Sequence, residues 1–440
     1  MEKDLTKGSI KSHYFKYLVA SFGSAMIGCI YAAVDAAVVG HYAGPVGSAT
    51  LSVVLPIWTI IYSLGLLIGI GGSVCYSFYK GKGEPQTANE YFSLSFALAT
   101  VFSIICWIAV VFFDEPMLRL FGADDTLLPL AKEYLLPIKF VIPVYLFSEI
   151  VAAFLRNDNA PALATKAILA GGIFNIGGDF LLVFVLDLGF FGAGLATALG
   201  MTFSQLIMLT HFLSKNNTLR FVKLKNRFKK IKTIFINGFS SFVTDMAMGI
   251  VAIFFNRQIM HYFNSDALAV FGVITQISAL VQCSTYGAGQ AAQPIISVNY
   301  GARLEQRVKK TNKYGVITVL IFGVFWAAVM LLFPNFMLNL YMSPTESVLK
   351  IAPEILRVYG LSYLFLPLNI YATYYFQSVM KPKISLAVSS LRGFVICVAL
   401  VFLLPALFGK DAIWYVMLLT ELLVSIFVIF NMRKSANIKQ

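Results

Sequence analysis

Five acidic side chains lie within long apolar runs of the sequence. They are Asp35, Glu149, Asp179, Asp245 and Glu421. An acid at the centre of a membrane-spanning helix costs at least ~2.5–3.5 kcal/mol on insertion scales, and such residues mark ion and substrate pathways. A single one can instead form a structural hydrogen bond between helices. Taken together, the five predict a buried site that binds protons or cations.

Two of these acids share a local pattern. Tyr31 precedes Asp35 by one helical turn and Asn175 precedes Asp179 by one turn, so each polar group should lie on the face of its acid. Burial and like charge favour proton binding by one of two neighbouring carboxylates. We therefore expect a cation-coupling pocket for H⁺ or Na⁺ that contains Tyr31, Asp35, Asn175, Asp179 and Thr197.

Small residues surround this expected pocket. Gly177 and Gly178 directly precede Asp179 and weaken the helix enough to permit a bend there. Thr197 belongs to a run of small residues that lets helices approach closely, so helix packing is the alternative role for Thr197.

The elements that must position these groups are transmembrane helices. The chain has 440 residues, of which 58% are apolar and 12% charged, with a mean hydropathy of +0.78, which excludes a water-soluble fold. Continuous apolar stretches such as 101–113 and 316–333 argue against a β-barrel. We predict an all-α membrane protein with twelve spans, numbered here spans 1 to 12, at 14–40, 48–79, 89–113, 127–154, 162–186, 190–214, 233–262, 267–298, 312–337, 351–377, 382–408 and 411–432.

The net charge of +13 is distributed along the chain in a way that indicates topology and not nucleic-acid binding. Most of the 34 lysines and arginines fall before span 1, in every second connection and after span 12. This pattern predicts that both termini are cytoplasmic. We expect a multi-pass protein of a bacterial or archaeal inner membrane, in which the first span serves as the insertion signal.

The longest polar segment, 215–232, contains eight cations and no acid. It divides the chain into six-helix lobes at 1–214 and 233–432, followed by a cytoplasmic tail at 433–440. The segment is read as an orientation signal and linker, with contact to anionic lipid as the alternative. An offset near 221 residues, which brings Pro161 onto Pro382, indicates a repeat with a pseudo-two-fold axis along the membrane normal.

Cysteines and histidines give no metal motif. Cys29, Cys75, Cys106, Cys283 and Cys397 lie in apolar runs and are expected to be small core residues. We expect no cofactor, and no metal beyond Na⁺ at Asp35 and Asp179.

The segment around span 5 and span 6 resembles the signature of the multidrug and toxic compound extrusion family, with its Asn-x-x-x-Asp and Gly-Ala-x-x-Ala-Thr elements. The matching residues are Asn175-Ile-Gly-Gly-Asp179 and Gly192-Ala-Gly-Leu-Ala-Thr197, together with Asp35, Val39, Gly40, Arg156, Pro161 and Gly301-Ala302-Arg303. The resemblance implies a V-shaped pair of six-helix bundles and proton- or sodium-driven export of cationic drugs by alternating access. It also implies that Tyr31, Asp35, Asn175, Asp179 and Thr197 form the cation pocket of the amino-terminal lobe.

Asp245 falls where another branch of that family carries a glutamate in span 7. That branch also uses an acid in span 10, and residues 357–377 contain none. The chain therefore looks closer to the branch with an acidic pair in its amino-terminal lobe, for which the resemblance implies proton coupling. Asp245 is then expected to receive cationic substrate or to pair with Arg257.

Further substrate-binding or secondary acidic residues are expected at Glu149, Glu421 and Tyr374. The aromatic cluster of span 10 offers either cation–π contacts in a cavity or lipid-facing packing; it comprises Tyr371, Tyr374, Tyr375 and Phe376. The expected partners are cationic amphipathic small molecules and membrane lipid, with the protein a monomer.

Two other functions use similar features. An intramembrane aspartyl protease needs Gly-x-Gly-Asp and Tyr-Asp elements, whereas the chain has Ile176-Gly-Gly-Asp179 and Val34-Asp35, so we expect no enzyme. A flippase or exporter of lipid-linked or other amphipathic metabolites would share the fold and remains the alternative. Its cavity should be rich in buried cations, and the spans offer only Lys139, Arg257 and Arg357.

Overall fold

A computed structural model describes residues 5–225, 227–342 and 344–436. All regular secondary structure in these ranges is helical, without a β-strand. Eleven helices are long and apolar enough to cross a membrane, and the bent pair Leu127–Lys139 and Ile142–Asn157 forms a twelfth span. The prediction of an all-α membrane protein with twelve spans is confirmed. Lys3 and residues 437–440 of the expected tail lie outside the described residues.

The observed spans agree closely with the predicted ones. In chain order they are Ile10–Gly44, Val46–Gly81, Pro85–Phe112, the bent pair, Pro161–Val185, Gly189–Leu213, Arg227–Tyr262, Ser265–Gly301, Glu305–Leu332, Glu346–Ser378, Pro382–Phe408 and Lys410–Ser435. Short helices at Asp114–Leu120 and Pro334–Tyr341 connect spans 3 and 4 and spans 9 and 10. Span 7 begins at Arg227, so the end of the predicted linker is helical.

The helices depart from regular α-helical geometry at several places in the first half. Gly44, with φ of 61°, separates spans 1 and 2 in a conformation that glycine adopts without strain. Span 4 bends by 58° just before Pro143, which lacks a backbone N–H. In span 5 the α-helix continues through Gly177 and Gly178 and changes to a π-helix at Phe180–Val185. The helix is therefore unbroken at the two glycines, and its hydrogen-bonding pattern changes at the residue after Asp179.

Each half of the chain has its own apolar core. One cluster joins spans 2 to 6 and includes Phe92, Leu146 and Phe154. Another joins spans 7 to 12 and includes Phe255 and Phe271, with span 2 also contributing. Span 1 also packs against the second half through Tyr14 and Tyr17, so the two cores are joined where spans 1 and 2 meet the second half. The exact domain boundaries remain a prediction.

The halves meet tightly at the end of the bundle that carries Lys80, Arg156 and Arg303, called here the basic end. A side-chain carbon on Gly81 would overlap the carbonyl oxygen of Val298, and one on Gly238 would overlap that of Leu67. Farther from the basic end, a side-chain carbon on Gly28, Gly249 or Gly272 would meet no atom within 4 Å. The space between the halves is therefore closed at the basic end.

A buried carboxylate fastens the basic end. Asp158 accepts hydrogen bonds from Lys80 at 2.8 Å, from His211 at 2.8 Å, and from Tyr76 and Thr218. Burial raises the pKa of Asp158, but the His211 hydrogen bond and the Lys80 charge outweigh burial and hold the pKa well below its usual range. This network ties spans 2, 4 and 6 to the linker, and the sequence had not indicated it.

The cysteine prediction is wrong for one pair. Cys29 on span 1 and Cys283 on span 8 form a disulfide between the two halves. Cys75, Cys106 and Cys397 are free and buried, as expected. Spacing along the chain could not reveal the pair, because 254 residues separate its members.

Candidate ion and substrate sites

The amino-terminal acids lie on neighbouring helices in the first half. Tyr134 on span 4 donates a hydrogen bond of 3.0 Å to Oδ2 of Asp35 on span 1. Asp179 on span 5 is fully buried, and its charge acts on that of Asp35. The structure thus brings the two predicted acids together. Tyr134 was not predicted from the sequence; it bonds to Asp35 and interacts with Asp179 only through charge.

Several oxygens in this group are buried and unused. Oδ1 of Asp35, both carboxylate oxygens of Asp179 and Oδ1 of Asn175 have no hydrogen-bond partner within the described part of the chain. Buried polar atoms without partners are rare and costly. Within the described ranges the Asn175 side chain makes one hydrogen bond, which its Nδ2 donates to the hydroxyl of Thr197 at 3.3 Å. Four unpartnered oxygens suit a proton or a small hard cation.

A π-helix directly follows Asp179. A π-turn replaces i→i−4 hydrogen bonds by i→i−5 bonds and is frequent at functional sites. Gly178 allows the same helix to lie close to Ala196 of span 6, since a side-chain carbon there would be 3.1 Å from Ala196 Cβ. Close packing of spans 5 and 6 places Asn175 beside Thr197.

Tyr31 does not bond to Asp35, although its spacing predicted that the two would lie on the same face of span 1. Its ring packs against Gly172 of span 5 and faces the space between the halves. It lies within electrostatic range of Asp35 and Glu149. No hydrogen bond links its hydroxyl to Asp35 in the described structure. Tyr134 provides that contact instead.

A cavity of about 780 Å³ separates the halves. Asn175 and Thr197 line it, whereas Asp35 and Asp179 lie behind them in the first half. Aromatic side chains from both halves form much of its wall: Tyr31, Trp58, Tyr62, Tyr145, Phe271 and Tyr286. Trp58 and Tyr145 pack edge to face with ring centroids 4.8 Å apart. Such a wall accepts flat apolar and cationic molecules.

Two acids face this cavity from opposite halves. Glu149 comes from span 4 and Asp245 from span 7, and their charges interact. Ser63 of span 2 donates a hydrogen bond of 2.5 Å to Oδ2 of Asp245. Arg257 is exposed and makes no ion pair with Asp245, so the pairing alternative is wrong. Both acids are available to a ligand in the cavity.

Two of the predicted secondary residues do not reach the cavity. Glu421 is buried in the second half, where it accepts hydrogen bonds from Arg392 at 2.5 Å and from Asn369 at 2.7 Å. Tyr374 is 4% exposed and packs against Gly289 and Tyr286 behind the cavity wall. Tyr371, Tyr375 and Phe376 are equally buried, so the span 10 cluster neither lines the cavity nor faces lipid.

The buried cations also differ from the expected set. Arg257 and Arg357 are exposed, and Lys139 pairs with Asp114 at 2.7 Å. Arg156 and Arg392 are buried instead. Arg392 lies in the π-helix Leu391–Val395 of span 11 and is neutralised by Glu421. No group of three or more His, Cys, Asp or Glu side chains able to hold a metal occurs among the described residues.

Comparison with known proteins identifies relatives over nearly the whole chain. The family model MatE matches residues 21–181 and 240–403. The multidrug export protein MepA of Staphylococcus saprophyticus is 24% identical over 417 residues, which cover 93% of this chain and 92% of MepA. MepA of Staphylococcus aureus is 24% identical over 380 residues, which cover 86% of this chain and 83% of MepA.

Solved structures share the fold. An outward-facing multidrug resistance MATE family transporter of the MOP superfamily superposes with a TM-score of 0.88 at 20% identity, covering 98% of this chain and 97% of that one. A MOP superfamily transporter from Pyrococcus furiosus, described as having a binding pocket of reverse polarity, gives 0.89 at 21% identity, covering 100% and 99%.

Proposed function

Since the chain belongs to the multidrug and toxic compound extrusion (MATE) family, we propose that it exports cationic amphipathic small molecules in exchange for inward H⁺, with Na⁺ as the alternative ion. It is a transporter and not an enzyme. The observation that carries the proposal is the juxtaposition of unpartnered carboxylate oxygens at Asp35 and Asp179 with a cavity that contains the acids Glu149 and Asp245.

Charge supports an organic cation as the substrate. Glu149 and Asp245 present two carboxylates to the cavity, and the surrounding phenol and indole rings attract cations through their faces. The MepA relatives are named multidrug export proteins. A wide aromatic cavity with acids on opposite walls accepts cations of different shapes, because few specific hydrogen bonds restrict their orientation.

Coupling is assigned to the first half. Among the described residues no lysine or arginine pairs with Asp35 or Asp179, whereas the buried acid of the second half, Glu421, is already neutralised by Arg392. An entering ion therefore gains most at Asp35 and Asp179. Asn175 and Thr197 lie between this pair and the cavity, so an ion bound there changes groups that the substrate contacts.

The closed basic end supports alternating access as the mechanism. With the basic end in the cytoplasm, as the positive-inside rule places it, the described state is open to the outside and able to exchange substrate for the coupling ion. Transport then requires a second state in which the contacts of Gly81 and Gly238 separate. Substrate and ion must bind the two states with different affinities, because equal affinity shifts no equilibrium. We place the protein, as a monomer surrounded by lipid, in the cytoplasmic membrane.

Dye transport by purified protein in liposomes tests the function. A proton gradient and a sodium gradient are imposed separately, and ethidium accumulation is followed with the parent, Glu149→Gln and Asp245→Asn. We expect one gradient to drive accumulation in the parent and each variant to lose most of it. Glu354→Gln, an exposed acid of span 10, serves as the control that should behave as the parent. Equal transport by all four proteins, or none by the parent, would contradict the proposal.

A further inference from the structure

Arg156, on the last turn of span 4, provides a cation at the floor of the central cavity. It lines the cavity near the basic end and is 6% exposed. The residues that follow it are fixed, since Asn157 accepts a hydrogen bond of 2.6 Å from Ser77 and Asp158 anchors the network with Lys80. Arg156 is therefore held in place while its guanidinium faces the cavity.

The guanidinium of Arg156 differs from that of Arg392, the other buried arginine, and from the partly buried ammonium groups of Lys139 and Lys80. Arg392 pairs with Glu421 at 2.5 Å, Lys139 with Asp114 at 2.7 Å and Lys80 with Asp158 at 2.8 Å; these three have carboxylate partners. Arg156 forms neither a hydrogen bond nor an ion pair with any residue of the described ranges. A guanidinium has five N–H donors, and Arg156 lines the cavity, so these donors are available to a group bound there. The missing acceptor is one that enters from the cavity.

The charges around Arg156 fix where such an acceptor must lie. Its electrostatic neighbours are Glu149, Tyr374 and Tyr62. Glu149 is two helical turns earlier on span 4, on the same face but about 10 Å away along the axis. The two side chains interact through their charges and form no ion pair within 4 Å in the described structure. The cavity thus has acids at mid-depth and a separate cation at its floor.

We propose that Arg156 forms a subsite for a carboxylate of the transported molecule, so that the cavity takes zwitterionic amphiphiles as well as plain cations. The cationic group lies between Glu149 and Asp245, and the carboxylate binds Arg156, which follows Glu149 by about two helical turns toward the basic end. A guanidinium matches a carboxylate through two parallel hydrogen bonds. Gln290, which also lines the cavity and contacts Tyr374, offers an amide donor beside it. The inference rests on the proposed function, because it assigns a second group of the substrate to the same cavity.

A pair of dyes that differ in one group tests the subsite. A rhodamine with a free benzoate is a zwitterion, and the methyl ester of the same dye is a plain cation. Binding of each to the purified full-length protein is measured by fluorescence anisotropy, for the parent, Arg156→Gln, Arg156→Lys and the exposed control Arg257→Gln. Thermal melting of every variant verifies the fold.

We expect Arg156→Gln to weaken binding of the zwitterion at least about tenfold, the usual effect of losing a charged hydrogen bond, and to change ester binding less than about twofold. Arg156→Lys should retain part of the zwitterion affinity, because a lysine keeps the charge and loses the bidentate geometry. Arg257→Gln should change neither dye.

Four results would contradict the subsite, and each has a different meaning. If Arg156→Gln and Arg156→Lys weaken both dyes equally, or neither dye, Arg156 is structural and the subsite is wrong. If added phosphatidylglycerol abolishes zwitterion binding to the parent and leaves ester binding unchanged, the guanidinium belongs to a lipid phosphate and the proposal is overturned. If the parent binds the ester and not the zwitterion, only the subsite fails. If the parent binds neither dye, the proposed function fails with it.

Discussion

The hydroxyl of Tyr134 on span 4 donates a hydrogen bond of 3.0 Å to Asp35 on span 1. The same hydroxyl contacts Thr197 on span 6, which in turn accepts a hydrogen bond from Asn175 on span 5. One phenol therefore connects the acid proposed to couple transport with the residues that line the cavity. A change at the ion site can reach the substrate through this short chain of contacts.

Replacing Tyr134 by phenylalanine should slow ion-driven ethidium transport about tenfold. The substitution keeps the ring and removes a hydrogen bond to a charged group, which contributes ~1.5–3 kcal/mol. Ethidium binding at Glu149 and Asp245 should be unchanged, because Tyr134 does not line the cavity. Tyr415→Phe, at an exposed position, is the control. Parent-like transport by Tyr134→Phe would show that the hydrogen bond to Asp35 has no part in coupling.

The hydrogen bond from Ser63 to Asp245 connects the two halves and should stabilise the state that is closed at the basic end. Ser63→Ala removes it and should shift the equilibrium away from this state by roughly tenfold. Distances between spin labels at the basic end measure the shift. Ser52→Ala is a matched control on the same span, since Ser52 bonds only to the carbonyl of Ser48 within the described residues. An unchanged distance distribution for Ser63→Ala would show that this hydrogen bond does not stabilise the closed state.

The disulfide between Cys29 and Cys283 joins span 1 to span 8 across the cavity wall. A covalent link between halves that must move apart should hold the transporter in one state. A reducing agent should therefore raise ethidium transport by the parent several-fold, and Cys29→Ser should transport at the raised rate without it. Cys106→Ser, which changes a free cysteine, should still respond to the reductant. A parent that is insensitive to reduction would show that the link does not restrict the halves.

Asp158 should make the basic end sensitive to acid. Its folded-state pKa is lowered, so the stabilisation that it provides is present above the ordinary aspartate pKa of about 4 and is lost as the pH falls below that value. Asp158→Asn should reduce the free energy of unfolding at neutral pH by about 1–3 kcal/mol. Its melting temperature should then depend less on pH between about 5 and 3 than that of the parent.

Thermal unfolding in detergent across this pH range measures both effects. Asp125→Asn is the control, because Asp125 is 89% exposed and pairs only with Arg119 among the described residues. If Asp158→Asn melts at the parent's temperature at every pH, the network around Asp158 does not stabilise the protein.

The number of spans and the acids Asp35 and Asp179 were predictable because they depend on local properties. A run of apolar residues marks a span wherever it occurs, and a charged residue inside it stands out. The small residues around Thr197 likewise indicated close packing of spans 5 and 6, which the structure contains. These features need no knowledge of which helices are neighbours.

The partners of these residues were not predictable, because they depend on which spans pack together. Tyr134 is one phenol among 21 tyrosines, and only the packing of span 4 against span 1 distinguishes it. A lone glutamate or arginine would be unfavourable inside a span. Glu421 and Arg392 pair with each other within the second half, and neither lines the cavity. Arg156 was named only among the residues that match the family, because its position after the predicted end of span 4 gave no sign that it faces inward.

The role of Asp35 and Asp179 is tested most directly by ethidium transport in liposomes under a proton gradient alone and a sodium gradient alone, comparing the parent with Asp35→Asn and Asp179→Asn. The account predicts that the proton gradient drives transport by the parent, and that both variants still bind ethidium and fail to respond to that gradient. Transport by both variants at the parent's rate would contradict the assignment of the coupling site.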